Sequence, residues 1–172
     1  FTIVPKVVVP AYDADGNVVA LNNKNGSITL LYSASDTFNP YTAVTENNRQ
    51  LCKLLYDSLI KLDNNFEVVN NLAKNIVLNG NVCTVTLNNK VFSDGSPVTA
   101  EDVIYSYNLA KKSNTEYFYK LYEVKNVVAE DTKTIKFTLT RSDPYFVSLI
   151  DFPVLKKDSD KIVNSDSVKL PP

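Results

Sequence analysis

The run Val82-Cys-Thr-Val-Thr-Leu87 alternates, with Cys83, Val85 and Leu87 falling on one side. A period of two fits a strand with one buried face; a helix would scatter those residues around its circumference. Thr134-Ile-Lys-Phe-Thr-Leu139 is again largely apolar at alternate positions. Between these runs, Val103, Ile104, Tyr107 and Ala110 recur at helical spacing. Strands with a helix between them make the chain α/β, in the mixed α+β sense. Its 172 residues, 44% hydrophobic and 22% charged, have enough apolar content for a packed core. At roughly 150 residues per domain the length allows one domain or two small ones.

Much chemistry is excluded by what the chain lacks. There is no histidine, which removes Ser-His-Asp and Cys-His catalysis and every His-containing metal site. The four glycines, Gly16, Gly26, Gly80 and Gly95, are too scattered for a phosphate loop or a dinucleotide fingerprint. A net charge of -1 with no basic block argues against a nucleic-acid partner. Carboxylates such as Asp36, Asp63 and Glu101 are present, but spacing places no pair of them on one rigid face, so no enzyme is expected. Asp13, Asp15 and Asn17 hint at a calcium loop, yet Gly16 falls at the fourth loop position and Lys24 stands where a bidentate Glu belongs. No metal or other cofactor is expected. No apolar run approaches the roughly 20 residues of a membrane span, and no basic-then-apolar leader opens the chain. With Phe first and no Met anywhere, a processed product or a cut piece is expected. Cys52 and Cys83 read as two buried thiols in preference to one disulfide, which would need an exporting compartment.

Along the chain, residues 6–11 and 17–21 flank an Asp/Gly turn and predict a hairpin. Residues 27–32 predict a strand buried on both faces, running into the polar loop Ser33–Pro40. Thr45 is placed to cap a helix over about 46–59, with Leu51, Leu54, Leu55 and Leu59 as its buried stripe. Residues 60–62 become extended, Asp63 to Phe66 set a turn, and 66–76 read as irregular. Asn88-Asn89 predicts a turn after which Lys90-Val-Phe92 returns. Ser93-Asp-Gly-Ser-Pro97 is a further turn, and Thr99 with Asp102 forms a near capping box. The aromatic group Tyr117-Phe-Tyr119, Leu121 and Tyr122 reads as core packing ahead of a stacking platform. Residues 124–129 and 134–139 predict a second hairpin. Asp143-Pro144 opens a short helix, Phe152 to Leu155 is extended, and the tail from Lys156 has no core face.

The densest local pattern is Val91-Phe-Ser-Asp-Gly-Ser-Pro-Val-Thr-Ala-Glu-Asp-Val103. Physically it is a strand, a tight turn, a cap and a helix. As a string, its Phe92, Asp94, Gly95, Pro97, Thr99, Ala100, Asp102 and Val103 closely resemble an element of the family 5 extracellular solute-binding proteins, the oligopeptide- and dipeptide-binding components of ABC importers. Other stretches follow that family's order. Leu30 to Pro40 resembles its first strand and the loop ending in Asn-Pro. Leu55-Tyr-Asp-Ser-Leu-Ile-Lys-Leu62 resembles a helix end, and Asn71-Leu-Ala-Lys-Asn75 sits where members usually read Pro-x-Leu-Ala. Cys83 to Leu87, Thr134 to Leu139 and Asp143-Pro-Tyr-Phe146 resemble flanking strands and a short helix. Ser93, where His is frequent, and Asn71, near the usual Pro, are departures.

The resemblance covers about residues 27 to 170. It implies part of a class II periplasmic-binding-protein fold: an N-terminal extension over 1–26, a fragment of the first lobe in 27–45 and 156–172, and an inserted α+β subdomain in 46–155. The tail resembles the run before the family's Gly-Thr-Gly-Pro-Tyr element, so the second lobe is expected to lie outside this chain. The implied function is capture of extracellular peptides or similar solutes by a monomer that delivers them to a membrane permease. The implied location is the periplasm, or the extracellular face of the cell membrane through a lipid anchor. The candidate ligand contacts are Ser33, Ser35, Asp36, Thr37, Phe38 and Asn39 after the first strand, with simple loop capping as the competing reading, and Tyr119 and Tyr122 as wall residues. Asp94 and Asp102 read as turn and cap. A different class, a surface interaction or adhesion module acting by β-edge pairing, is the alternative.

Overall fold

The computed structural model describes residues 30–159. The hairpin expected over 6–21, the first part of the 27–32 strand and most of the tail lie outside them. The core of the fold is a four-stranded antiparallel sheet in the order β3-β4-β6-β5, with β3 at Ala73–Asn79, β4 at Val82–Leu87, β5 at Val124–Ala129 and β6 at Thr134–Leu139. β4 and β6 are the central pair, in register from Val82 opposite Thr138 to Thr86 opposite Thr134. Both alternate between buried and half-buried residues, so Cys83, Val85 and Leu87 share one face with Ile135, Phe137 and Leu139. That is the face expected from their period of two.

Helix α2, Ala100–Ala110, covers this face. It buries Val103, Tyr107 and Ala110, and the Tyr107 ring meets Phe137 edge-on at 6.3 Å between centroids. Ile104 is only half-buried. Phe146, in a short 3-10 turn over Phe146–Leu149, packs on Phe137 at 5.8 Å between centroids. Leu59, Ile60, Leu121, Ile150 and Phe152 complete the core at zero exposure. The extended residues 152–155 return to the body, where Val154 N–H donates to the Asp57 carbonyl at 2.8 Å and Pro153 bridges Ser58.

Four sequence expectations are corrected. Leu30 to Tyr32 do not form a doubly buried strand: no strand lies beside them among the described residues, and Leu31 is 70% exposed. Helix α1 runs over Glu46–Leu55, not to 59, because Tyr56 turns extended (φ -121°, ψ 139°). Its buried residues are Asn48 and Cys52, four apart on one side, while Leu54 and Leu55 face solvent. Residues 66–76 are not irregular. Val68–Asn70 (β2) pairs with Ile60–Leu62 (β1), and β3 then begins at Ala73, with a bulge between Ala73 and Asn75. Lys90-Val-Phe92 does not return along β4, whose two edges are taken by β3 and β6. Val91 bridges Pro97 instead.

Candidate functional site

The Asp-Gly element is built by its own side chains. Gly95 N–H donates to the Phe92 carbonyl and Phe92 N–H to the Ser96 carbonyl, with Gly95 at φ +83°. This is a tight turn closed by a residue in the left-handed region, which glycine enters without steric cost. Asp94 Oδ1 accepts from the Ser96 N–H and hydroxyl, and Oδ2 pairs with Lys156 at 2.5 Å. The Lys156 contact, followed by the Ser96 bonds, holds the Asp94 carboxyl well below its usual range. Asp102 Oδ2 accepts from the Thr99 N–H (2.9 Å) and hydroxyl (2.7 Å), while Oδ1 accepts the Lys157 N–H at 2.8 Å. Pro97 lies in the bridge to Val91, and Ala100 and Val103 are fully buried. The side chains of Asp94, Ser96, Thr99 and Asp102 are thus spent on the turn, the start of α2 and the 156–157 segment.

The loop 33–39 has a different character. It is half-exposed, and it folds around two side chains, Asp36 and Asn48. The Asp36 carboxylate accepts from the N–H groups of Thr37, Val44 and Thr45 and from the Thr45 hydroxyl, the last at 2.6 Å. The Thr45 hydroxyl, then the backbone donors, lower the Asp36 pKa to about 2. Asp36 therefore closes the loop onto the start of α1, where Thr45 is the cap residue but makes no side-chain cap bond of its own. Thr37 Oγ1 accepts the Asn39 N–H, and Asn39 Oδ1 accepts the Tyr41 N–H, giving two consecutive side-chain turns. The Phe38 ring packs on Tyr32 at 5.6 Å. Its carbonyl accepts from Cys52 Sγ at 3.2 Å.

Asn48 is fully buried. Its Oδ1 accepts the Ser33 N–H at 2.8 Å, and its Nδ2 donates to the carbonyls of Ser33 (3.1 Å) and Thr37 (3.2 Å). Sequence periodicity passes over it, since a polar residue on a helix reads as solvent-facing. The hydroxyls of Ser33 and Ser35 remain outside, 3.1 Å apart.

Tyr119 and Tyr122 stand elsewhere. Tyr119 packs edge-on against Phe118, and Tyr122 lies 5.9 Å beneath the Lys111 ammonium at the end of α2; both are about 70% exposed. The aromatic of that group that approaches the loop region is Tyr117, in α3 (Glu116–Lys120). Its ring meets Tyr41 at 5.9 Å, and the Tyr41 hydroxyl donates to the Pro153 carbonyl. Between α1 and α3 lies a cleft of about 100 Å³, lined by Pro40, Arg49, Cys52, Lys53, Glu116 and Tyr117 among others. None of residues 33–39 lines it. Cys52 and Cys83 are both buried free thiols, as read from the sequence; burial pushes each up to about 11. No group of His, Cys, Asp and Glu among the described residues could hold a metal ion. Among those residues, no helix is long and apolar enough to cross a membrane.

Comparison with known proteins places this architecture. A putative binding protein of Brucella melitensis is 28% identical over 162 residues, covering 84% of this chain and 26% of its own length. The glutathione-binding protein GsiB of Salmonella typhimurium is 30% identical over 124 residues, covering 68% of this chain and 24% of its own. The solved structure of the Escherichia coli murein tripeptide binding protein MppA superposes with a TM-score of 0.63 at 29% identity, covering 73% of this chain and 30% of that one. The chain thus spans about a quarter of the curated relatives it matches, and its fold is part of a periplasmic binding protein, as the resemblance implied. Residues 67–168 match the model of the bacterial extracellular solute-binding proteins, family 5 (middle region), and the chain belongs to that family of binding proteins.

Proposed function

We propose that this chain is part of a two-lobed receptor that captures a short peptide or similar extracellular solute and delivers it to an ABC permease. The family match over residues 67–168 carries the reading. Similarity to a glutathione-binding protein and to a murein tripeptide binding protein favours a short peptide or peptide-like solute. In this reading 27–45 and 156–172 belong to the first lobe, 46–155 is its inserted subdomain and 1–26 an extension. The receptor works as a monomer, free in the periplasm or held at the extracellular face of the cell membrane by a lipid. Ligand contacts both lobes only in the shut form, so binding shifts the population toward closure. The loop 33–39 supplies this chain's share of the pocket, and bridging water keeps such a pocket permissive. The comparisons lend nothing to the adhesion alternative.

Titration calorimetry with tri-alanine and penta-alanine tests this. The full-length polypeptide is expected to bind at least one of them with a Kd of about 1–10 μM, roughly -7 to -8 kcal/mol. The 172-residue chain alone is expected to give no measurable heat at those concentrations. Equal micromolar affinity in the short chain overturns the shared pocket. No peptide binding by the full-length polypeptide overturns the peptide reading.

A further inference from the structure

We propose that Asn48 is the positioning residue of the ligand loop: it sets the orientation of the Ser33 and Ser35 hydroxyls, which make a neutral hydrogen-bonding contact with the solute. This rests on the receptor reading above and adds to it a residue and a contact chemistry. A carboxamide is the one uncharged side-chain head that can accept one bond and donate two from a single plane. Asn48 uses all three. It grips Ser33 on both its N–H and its carbonyl, which fixes the peptide planes on either side of that residue, and it ties Thr37 to the same point. With the Ser33 backbone held from within, its hydroxyl is turned outward beside that of Ser35. Asp36 is not free to meet a solute cation, because its two oxygens already accept from Thr37, Val44 and Thr45. The loop thus presents hydroxyls and no available charge, a surface suited to a solute's amide or carbonyl groups.

An apolar residue in place of Asn48 leaves the Ser33 N–H and the Ser33 and Thr37 carbonyls without their partner, a cost that a purely structural role would share. The test separates the two roles. Amide hydrogen exchange is followed at Ser33 and, as a control, along β4, in this chain and in Asn48→Ala and Asn48→Asp. Tri-alanine affinity is measured by calorimetry on the full-length polypeptide carrying the same changes. Asn48→Ala is expected to lower Ser33 protection at least 10-fold, leave β4 unchanged and weaken the peptide about 10-fold or more. An ionised aspartate at this position accepts the Ser33 N–H but has no proton for either carbonyl. Its protonated form regains one donor. The titratable groups near it are Asp36, in the loop it holds, and Cys52, four residues along on the same side of α1. Asp36 stays ionised, and Cys52 stays protonated, across pH 4–8. Asn48 is fully buried, and burial raises the pKa of an aspartate placed there, so Asn48→Asp is expected to recover protection and affinity as the pH falls from 8 to 5, a profile the unsubstituted protein does not show. Unchanged Ser33 protection in Asn48→Ala overturns the proposal. So does a loosened loop with unchanged affinity, or an Asn48→Asp affinity that does not rise on acidification. Failure of the unsubstituted full-length polypeptide to bind peptide overturns the receptor reading instead, while the exchange data still decide whether Asn48 holds the loop.

Discussion

Asp36 and Asp102 do similar work in different surroundings, and each is tested in its own way. Asp36 is held to about 2 by the Thr45 hydroxyl and the backbone donors around it, against an ordinary value near 3.8. A depressed carboxylate contributes stability that is full above the unfolded value and is lost as pH falls through the folded one. The join between the loop and α1 is therefore expected to hold at pH 5 and to weaken between about pH 4 and 2. Asn in place of Asp36 should flatten that dependence, as read from the Thr45 amide shift across an acid titration. Asp102 is nearly buried, and both its oxygens are engaged, to Thr99 on one side and Lys157 on the other. Asp102→Ala removes a cap and leaves inward N–H groups unmatched, a loss of about 2 kcal/mol. Urea unfolding measures it, and a loss below about 0.5 kcal/mol would mean water replaces the carboxylate. Asp102 is legible in the sequence as a cap former, and Asp36 as a candidate ligand contact with loop capping as the competing reading. The buried Asn48 is not, because only its tertiary partners distinguish it from a surface asparagine.

At the scale of elements, the hairpin of β1 and β2 carries the clearest local conflict. Phe66 sits in its turn at φ +62°, with 83% of its surface exposed. A side chain in the left-handed region costs about 1–2 kcal/mol, and this one recovers little by burial. Phe66→Gly is expected to stabilise the chain by about 1 kcal/mol, visible as a higher urea midpoint with unchanged slope. In the sheet the conflict is absent. Phe137 is fully buried between Tyr107 and Phe146, and Phe137→Ala should cost about 3–5 kcal/mol. The difference tracks what could be read in advance. β4 and β6 alternate because one face is buried and the other only half-covered, so period and burial agree. β3 is an edge strand whose Lys74, Asn75 and Val77 are exposed, and its pattern fades into that of a loop. Helix α1 inverts the usual signal: its buried positions hold an amide and a thiol, while its leucines face out. Hydrophobic periodicity has no access to such a case.

For the whole molecule, the question is whether the loop with α1 opens together with the sheet or ahead of it. The two are joined through few bonds, among them the Tyr41 hydroxyl to Pro153 and the Tyr41–Tyr117 ring contact. Segments held by few buried contacts open at lower free energy than a sheet core. Each unit carries one thiol as a reporter. Cys52 lies on the buried side of α1 with its Sγ donating to the Phe38 carbonyl, and Cys83 lies at zero exposure in β4. Both are raised to about 11, so at pH 8 only about one thiol in a thousand is thiolate even before access is considered. Neither should react with iodoacetamide until its surroundings open. With opening of the α1 segment easier than opening of the sheet, Cys52 is expected to label at least 10-fold faster than Cys83 in dilute urea, and the Cys83 rate should follow global unfolding. Mass spectrometry of the two cysteine peptides reads both rates from one sample. Equal rates would show that loop, α1 and sheet open as one unit, so that the 33–39 loop draws its rigidity from the whole core and not from Asp36 and Asn48 alone.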